Sequence, residues 1–228
     1  MNNIAAVILA AGVGSRMGAD KTKQRLLVGG ISVLRRTLLA FEACECIKSI
    51  VIVTRDEEIP FVECEAEGIT KLYKIVIGGT TRAESAYNGF CAIPDDADYV
   101  AIHDAARCLV TPDMIDRVAQ DAVKYGAATA SSRVTDTVKI VDKNGFVSST
   151  PDRNFVYLAS TPQIFSTLLY YKATRNVDFS DTSITDDNML VEKIGASVFC
   201  TDVGGKNIKI TVPGDIEYAE YILRGEKL

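Results

Sequence analysis

The chain has 228 residues, of which 47% are hydrophobic and 24% are charged, and its formal net charge is -5. The length suits one α/β domain with a buried core, and the negative charge argues against a general nucleic-acid-binding protein, which needs a strongly basic face. Apolar windows fall short of the roughly 18 residues of a membrane span, and the first apolar run has no basic leader or cleavage site, so we expect a cytoplasmic protein.

The first predicted element is a strand at Ile4–Leu9, and a glycine-rich turn with several basic residues follows it. The turn contains Gly12, Gly14, Gly18, Arg16, Lys21 and Lys23. Glycines let the main chain approach a ligand and point successive N–H groups at anionic oxygens. The cations would neutralise charge that develops during phosphoryl or nucleotidyl transfer. The segment therefore predicts a loop that binds a polyphosphate.

Two other interpretations of this glycine pattern remain open. A dinucleotide-binding turn would have its third glycine one position before Gly18 and an acidic residue about 20 positions further on. A purely structural turn would need no cations. A P-loop is excluded because no G-K-[ST] follows at the required spacing. Arg16 and Lys23 beside the glycines favour a nucleoside triphosphate.

Further along the chain, apolar segments of strand length alternate with segments of helical period, which is typical of a parallel sheet covered on both faces. We therefore expect an α/β fold of three layers around a mostly parallel, twisted sheet. The elements predicted in this half are a helix at Ser32–Cys44 capped by Ser32, strands at Ile50–Val53 and Ile75–Ile77 with an irregular acidic stretch at 57–67 between them, a helix from the capping box at Thr81 to about Ile93, a strand at Tyr99–Ile102 and a helix begun by Thr111 and Pro112.

Three polar clusters follow the predicted strands, at 12–23, 78–85 and 103–107. Ligands of open parallel sheets bind at the carboxyl ends of the strands, so these clusters should converge. His103 is the only histidine, and we interpret it as a structural hydrogen-bonding group rather than a general base. Asp104 could bind a magnesium ion or a ribose hydroxyl, because one carboxylate can suffice for Mg²⁺; capping the next turn is its alternative role.

The second half of the chain departs from regular alternation. After a core strand at Ala127–Ser131, the segments Thr137–Ile140 and Phe146–Ser149 flank the turn sequence of residues 142–145, which predicts a hairpin. A lone hairpin is marginal in water, so this arm needs a surface to pack on, either a second subunit or its own domain. The remaining predictions are a helix near Phe165–Arg175, a helix capped by Thr185–Asp187 and ending at Gly195, a short strand at Asn207–Thr211 and a closing helix from about Pro213.

Basic residues and cysteines outside the glycine loop give weaker signals. Lys139 and Arg153 alone would pass as surface charges. Lys209 lies within the alternation Ile208-Lys209-Ile210. Its side chain therefore either projects into solvent from one face of an edge strand or points inward at an anion.

The six cysteines lack C-x-x-C spacing, which favours buried, reduced thiols over zinc ligands or disulfides.

Taken together, these motifs resemble the 2-C-methyl-D-erythritol 4-phosphate cytidylyltransferase family of sugar-alcohol phosphate cytidylyltransferases over nearly the whole chain. The matching segments are A-A-G-V-G-S-R-M-G with K-Q at 23 and 24, G-G-x-x-R-x-x-S at 78–85, H-D-A-A-R at 103–107, D-T-V-K at 136–139, D-R-N at 152–154, T-P-Q at 161–163, T-D-D at 185–187 and N-I-K-I-T at 207–211. The chain departs from the pattern at Thr80 and Thr81, at Cys108, and at Tyr157 with Ser160.

The resemblance implies an enzyme that joins CTP and 2-C-methyl-D-erythritol 4-phosphate to give 4-diphosphocytidyl-2-C-methyl-D-erythritol and pyrophosphate, in non-mevalonate isoprenoid synthesis. It implies a Rossmann-like nucleotidyltransferase domain over residues 1–228, with Mg²⁺ as cofactor, and a hairpin arm at 137–151 that forms a homodimer and completes the neighbour's site. The implied catalytic residues are Arg16, Lys23, Arg153 and Lys209. The implied nucleotide-binding residues are Ala10, Ala11, Gly12, Gly14, Gly78, Gly79, Ser85 and Asp104, which also binds the metal. The implied sugar phosphate-binding residues are Arg107, Thr137, Arg153, Thr161, Thr185 and Lys209.

The residue inventory suits such a reaction independently. A phosphate monoester is already ionised near neutral pH, so attack on the α-phosphorus of CTP requires no general base. Two alternatives stay open: a cytidylyltransferase for another polyol phosphate such as ribitol 5-phosphate, and a nucleotide-binding module without transferase activity.

Overall fold

The protein is described by a computed structural model that covers residues 2–12 and 22–225. Its strands are β1 (Ile4–Leu9), β2 (Leu27–Val28), β3 (Ile31–Ser32), β4 (Ile47–Thr54), β5 (Leu72–Ile77), β6 (Tyr99–Asp104), β7 (Ala127–Arg133), β8 (Ile140–Val141), β9 (Val147–Ser149), β10 (Tyr157–Ser166) and β11 (Phe199–Asp202). Its helices are α1 (Val33–Ala43), α2 (Ile59–Glu65), α3 (Arg82–Phe90), α4 (Pro112–Tyr125), α5 (Thr167–Thr174), α6 (Asn188–Lys193) and α7 (Gly214–Gly225). Short 3-10 turns occupy Lys23–Arg25, Asp56–Glu58 and Arg153–Phe155.

Seven strands form one twisted sheet in the order β11-β7-β10-β6-β1-β4-β5. Strand β1 lies near its centre and pairs in parallel with β4 on one side and β6 on the other. All six residues of β1 are buried, as expected for a continuous apolar strand that is covered on both faces. Among the described strands of this sheet, only β10 runs antiparallel to its neighbours. The predicted mostly parallel α/β fold is confirmed.

The alternation of side chains along β1 divides the core into two layers. Ile4 and Ile8 join the cluster that includes residues of α1, α2 and α4, whereas Val7 and Leu9 join the cluster that includes residues of α3, α5 and α6. The sheet is therefore the middle of three layers. A third, smaller cluster places α7 against β2 and Ile210.

Local capping determines where the helices begin. Ser32 and Thr111 accept hydrogen bonds from the backbone N–H three residues on, at the starts of α1 and α4. Thr81 caps α3 in the same way. Gly126 ends α4 with a φ of 89°, a left-handed conformation that suits glycine. These caps were all predicted except Gly126, and α1, α3 and α4 begin where the sequence indicates.

The predicted hairpin forms outside the main sheet. Strands β8 and β9 pair with each other around a turn whose Gly145 has a φ of 88°. Six large apolar side chains on the arm and the following segment are each more than half exposed: Ile140, Val141, Phe146, Val147, Phe155 and Leu158. Such a concentration of exposed apolar side chains is a typical interaction surface.

Several predicted elements were wrong. The segment at 207–211 is not a strand; it is held by individual bonds such as that from Ile210 N to Ala106 O at 2.8 Å. The edge strand β11 and the antiparallel β10, which contains the T-P-Q motif, were not predicted. The acidic stretch after β4 is a 3-10 turn followed by α2 rather than irregular chain. Strand β6 continues through His103 and Asp104, two residues further than predicted.

The cysteines correct another expectation. Only Cys44 and Cys108 are buried, Cys46 is half-buried, and Cys64, Cys91 and Cys200 are exposed free thiols.

Within residues 2–12 and 22–225, no helix has the length and apolar character needed to cross a membrane.

Candidate active site

A pocket of about 600 Å³ opens at the carboxyl ends of β1, β4, β5 and β6. The chain runs from β1 to one side of the sheet and then returns to β6 on the other, so the pocket lies where the strand order reverses. The lining residues are Leu9, Ala11, Gly12, Lys23, Gln24, Arg55, Asp56, Glu57, Ile77, Gly78, Gly79, Thr80, Thr81, Arg82, Ser85, Asp104, Ala106 and Lys209. The described members of the three polar clusters, including Gly12 and Lys23 of the first, therefore converge as predicted.

Gly78 and Gly79, in the turn after β5, line one wall of the pocket. The neighbouring atoms lie too close for a larger residue to replace either glycine unless they shift. A methyl group added at Gly78 would lie 2.8 Å from Ala11 Cβ and 2.9 Å from Ser85 Oγ. The Ser85 hydroxyl accepts a hydrogen bond from Gly79 N at 3.0 Å and donates one to Thr81 O at 2.8 Å. These contacts fix the turn that joins β5 to α3.

Gln24 fixes the start of the glycine-rich turn. Its side-chain amide donates to Ala10 O at 2.7 Å and to Gly12 O at 3.4 Å. Ala10 itself is buried and donates its N–H to Val53 O at 2.7 Å, so it supports the pocket from behind. Gln24 belongs to a matched motif, but sequence reasoning assigned it no role. Arg16 and Gly14 lie outside the described residues.

Asp104 lies at the end of β6 between two cations. Its Oδ1 is 3.1 Å from Arg82 Nε, and its Oδ2 is 2.7 Å from Lys209 Nζ. Burial alone would raise the pKa of Asp104, but the Arg82 and Lys209 charges outweigh it and hold the pKa well below its usual value. Asp104 is therefore an ionised carboxylate in the pocket, and Lys209 points inward at an anion, one of the two alternatives open from the sequence.

The backbone before α7 brings Lys209 to this position. Asn207 Nδ2 donates to Thr161 O at 2.8 Å, and Arg107 Nη1 donates to Asn207 O at 2.9 Å. Ile210 is fully buried beneath α7. The segment is thereby anchored on both sides of Lys209 without belonging to the sheet. Arg107 thus supports the segment, and its pKa is lowered because burial disfavours the charged guanidinium.

His103 is completely buried, directly before Asp104. Burial lowers the pKa of its imidazole to about 3, so the ring is neutral at physiological pH. Its Nδ1 lies 3.1 Å from Thr161 Oγ1, which in turn accepts a hydrogen bond from Asp104 N at 3.1 Å. The structural interpretation of His103 agrees with this geometry. Thr161 orients the backbone of Asp104, and its predicted contact with a sugar phosphate stays a prediction.

Three other predicted residues lie away from the described lining of the pocket. Thr137 is exposed on the arm, and Arg153 is exposed and donates to Thr135 O at 2.9 Å. Thr185 is exposed near the start of α6, where its hydroxyl contacts Met189 Sδ at 3.4 Å. The roles assigned to these three residues therefore stay predictions. Lys139 is also exposed, as expected.

The pocket also contains charges that sequence reasoning missed. Arg55, at the end of β4, contacts Glu57 at 2.7 Å and Glu58 at 3.5 Å. Arg82 contacts both Asp104 and Asp187. Arg82 stands at a fixed position of the matched G-G-x-x-R-x-x-S motif, which is the signal that could have identified it.

The carboxylates of the pocket fit a magnesium ion that arrives with a ligand. No group of three His, Cys, Asp or Glu side chains in the described part of the chain could hold a metal alone. Mg²⁺ commonly takes one or two carboxylates and completes its shell with water and substrate phosphates. Asp104 is an ionised carboxylate, but its two oxygens are ion-paired with Arg82 and Lys209, so its donor capacity suits an ion that arrives with substrate phosphates rather than a resident ion, and its metal-binding role stays a prediction.

Comparisons with known proteins agree with this geometry. The family model described as 2-C-methyl-D-erythritol 4-phosphate cytidylyltransferase (IspD) matches residues 4–225. The enzyme of that name from Caldanaerobacter subterraneus is 40% identical over 227 residues, which are 97% of this chain and 99% of the relative. The Microcystis aeruginosa enzyme of the same name is 40% identical over 219 residues, 95% of this chain and 97% of the relative.

Solved structures give the same result. The 4-diphosphocytidyl-2C-methyl-D-erythritol synthase of Anaerococcus prevotii superposes with a TM-score of 0.88 at 30% identity, covering 98% of this chain and 99% of that one. The 2-C-methyl-D-erythritol 4-phosphate cytidylyltransferase of Thermus thermophilus superposes with a TM-score of 0.76 at 28% identity, covering 98% and 100% of the two chains.

Proposed function

This chain belongs to the 2-C-methyl-D-erythritol 4-phosphate cytidylyltransferase family, and we propose that its pocket is where CTP and the sugar phosphate react. The enzyme transfers the cytidylyl group of CTP to 2-C-methyl-D-erythritol 4-phosphate and releases pyrophosphate, a step in isoprenoid precursor synthesis. One observation carries the assignment to this pocket: the narrow turn at Gly78, the ionised Asp104 and the cations Lys23 and Lys209 all line it.

The cytosine ring of CTP lies against Gly78, Gly79 and Ser85, beside Ala11 and Gly12, which line the same part of the pocket. Support for this placement comes from the turn itself, whose Gly78, Gly79 and Ser85 line the pocket. Selectivity for a pyrimidine over a purine is what the family resemblance implies. Ser85 and Gly79 N are then near the polar edge of the base. Gly14, which the resemblance also assigns to nucleotide binding, lies outside the described residues, so its role stays a prediction.

The triphosphate extends toward the basic side of the pocket. Lys23 and Arg16 stabilise the charge that builds up at the α-phosphate, and Asp104 contributes to the metal shell or binds a ribose hydroxyl. Mg²⁺ bound with CTP would supply charge neutralisation at the triphosphate, and Asp104 is the residue of the pocket that would help to hold it. No proton needs to be removed, since the sugar phosphate is already ionised. The task of the protein is to position anionic groups and offset their repulsion.

The sugar phosphate occupies the side near Lys209. Its phosphate is held by Lys209, with Arg107, Thr137, Arg153, Thr161 and Thr185 as further predicted contacts. Thr137 and Arg153 lie on or beside the exposed arm and outside the described lining of the pocket, so we place them in the site of a second subunit to which the arm crosses. The exposed apolar side chains of the arm support a homodimer. The cytoplasmic location expected from the sequence also stays a prediction.

A substrate panel tests the proposed function. Purified protein with Mg²⁺ is given each of the four nucleoside triphosphates, and pyrophosphate release is measured with methylerythritol phosphate or ribitol 5-phosphate as acceptor. We expect release with CTP and methylerythritol phosphate only. Equal or faster release with ribitol 5-phosphate would assign a different acceptor, and no release with either would contradict transferase activity. The comparisons give no support to the alternatives over the main interpretation.

A further inference from the structure

We propose that Arg82 is a positioning residue that links the nucleotide side of the pocket to its sugar phosphate side. This inference rests on the proposed function. Arg82 is the first residue of α3, directly after the turn proposed to contact cytosine. Its guanidinium joins two carboxylates from different elements, with Nε 3.1 Å from Asp104 Oδ1 and Nη1 2.7 Å from Asp187 Oδ2.

The Asp187 end of this link is rigid. The Asp187 side chain is only 1% exposed, and its Oδ1 accepts a hydrogen bond from Tyr170 Oη at 2.6 Å. Its backbone N–H donates to Gln163 Oε1 at 2.9 Å. A carboxylate this buried requires a cation, and removal of that cation would leave an uncompensated charge. Arg82 supplies it.

The Asp104 end is the functional one. Arg82 binds Oδ1 and Lys209 binds Oδ2, so the two cations together fix the carboxylate plane. Without Arg82, Asp104 would keep only its contact with Lys209, so the pair could shift together and the carboxylate plane would no longer be fixed. Both groups proposed to contact the substrates would then move, although neither had been changed.

The same link reaches the sugar phosphate side. Asp187 is the residue before α6 and lies two positions after Thr185, a predicted sugar phosphate contact. Loss of Arg82 would therefore loosen this segment as well as the α3 turn. Because two guanidinium nitrogens of Arg82 are engaged by protein carboxylates, its role is to hold the site in shape.

Arginine is required because of the fork geometry. One planar guanidinium reaches carboxylates on two sides, whereas a lysine ammonium is a compact charge that cannot bind both in the same orientation. Arg82→Lys should therefore keep the charge and lose the link. Arg82→Gln should lose both.

The test measures binding and turnover separately in wild type, Arg82→Lys and Arg82→Gln. The matched control is Arg35→Gln, which removes bonds to Glu65 O and Glu67 O on the far side of α1. Calorimetry measures the Kd of Mg–CTP and of methylerythritol phosphate, and pyrophosphate release gives kcat. We expect both Kd values to rise at least several-fold and kcat to fall about 10²-fold in both Arg82 variants. Added methylguanidinium should partly restore the activity of a third variant, Arg82→Ala.

Two results would overturn the inference. In the first, the Arg82 variants keep a kcat and both Kd values close to those of the wild type and lose only thermal stability, to the same extent as the Arg35→Gln control. The other is a change confined to one substrate, because a link must affect both. If the Arg82→Gln protein does not fold, Asp187→Asn applies the same criteria from the other end. An inactive wild type that still binds both ligands would instead contradict the proposed function, and the Kd comparison would still decide the role of Arg82.

Discussion

Lys209 Nζ lies 2.7 Å from Asp104 Oδ2, although the two residues are 105 positions apart in the sequence. The pair joins the segment before α7 to the end of β6 at the floor of the pocket. Taken alone in the sequence, Lys209 would pass as a surface charge. In the structure its contact with the ionised Asp104 holds it in the pocket.

Replacement of Lys209 by alanine should reduce turnover about 10² to 10³-fold, because one preorganised charge contact is lost where charge develops. The fold should persist, since Ile210 and Asn207 still anchor the segment. Lys48→Ala is the control, as Lys48 is exposed and contacts a local carbonyl, Glu45 O. Steady-state kinetics with circular dichroism makes the comparison. Equal activity of the two variants would remove Lys209 from the mechanism.

Lys23→Ala and Arg16→Ala should each lower turnover by a similar factor while leaving the secondary structure unchanged. Lys23 lines the pocket beside Gly12. Arg16 is a prediction from the sequence alone. Single-turnover measurements at saturating CTP separate the chemical step from binding. Near-normal rates in both variants would refute the proposed charge stabilisation.

His103 should make the protein less stable in mild acid. Its pKa is about 3 when folded, against an unfolded value of 6.5, so the unfolded chain binds one more proton between these values. The contribution of the neutral His103 to the free energy of unfolding is therefore fully present above about pH 6.5. Below that pH it decreases by about 1.4 kcal/mol per pH unit. Urea unfolding between pH 6.5 and 4.5 measures this slope. The His103→Gln variant should have a lower free energy of unfolding at pH 7. Its free energy of unfolding should depend less steeply on pH, because about one proton fewer is taken up on unfolding. An unchanged slope would mean that His103 is not the titrating group.

The arm allows a test by subunit mixing. Lys23→Ala and Arg153→Ala homodimers should both be inactive if Arg153 completes the neighbour's site. In a mixed dimer, one site combines the intact Lys23 of one subunit with the intact Arg153 of the other. Random exchange should therefore restore about a quarter of wild-type activity, from half of the dimers and half of their sites. No recovery after confirmed subunit exchange would place Arg153 in its own subunit's site, and an active Arg153→Ala homodimer would place it outside any site.

Much of the fold followed from the sequence for identifiable reasons. The apolar run of β1 and the caps Ser32, Thr81 and Thr111 act locally, so pattern and spacing suffice to place those elements. Strand β10 was missed because a polar stretch that contains proline is rarely a strand inside a sheet. The segment around Lys209 resembled a strand because its alternation is real, but Ile210 packs beneath α7 instead of entering the sheet.

The site was predicted less completely. Gly12, Gly78, Gly79, Lys23 and Asp104 could be placed at one pocket because they lie at or after the carboxyl ends of strands that meet at one edge of the sheet, and their roles toward a ligand stay predictions. The Arg82 link to Asp187 spans 105 positions, and no local pattern reports which carboxylate an arginine will reach. Roles for Thr137 and Arg153 depend on a second subunit, which a single chain does not contain.

The most direct test of the account is a crystal structure with CTP and Mg²⁺ bound. We predict cytosine against Gly78, Gly79 and Ser85, and phosphates directed toward Lys23 with Arg16 beside them. CTP bound elsewhere, or a pocket that remains empty at saturating CTP while the protein is active, would contradict the account.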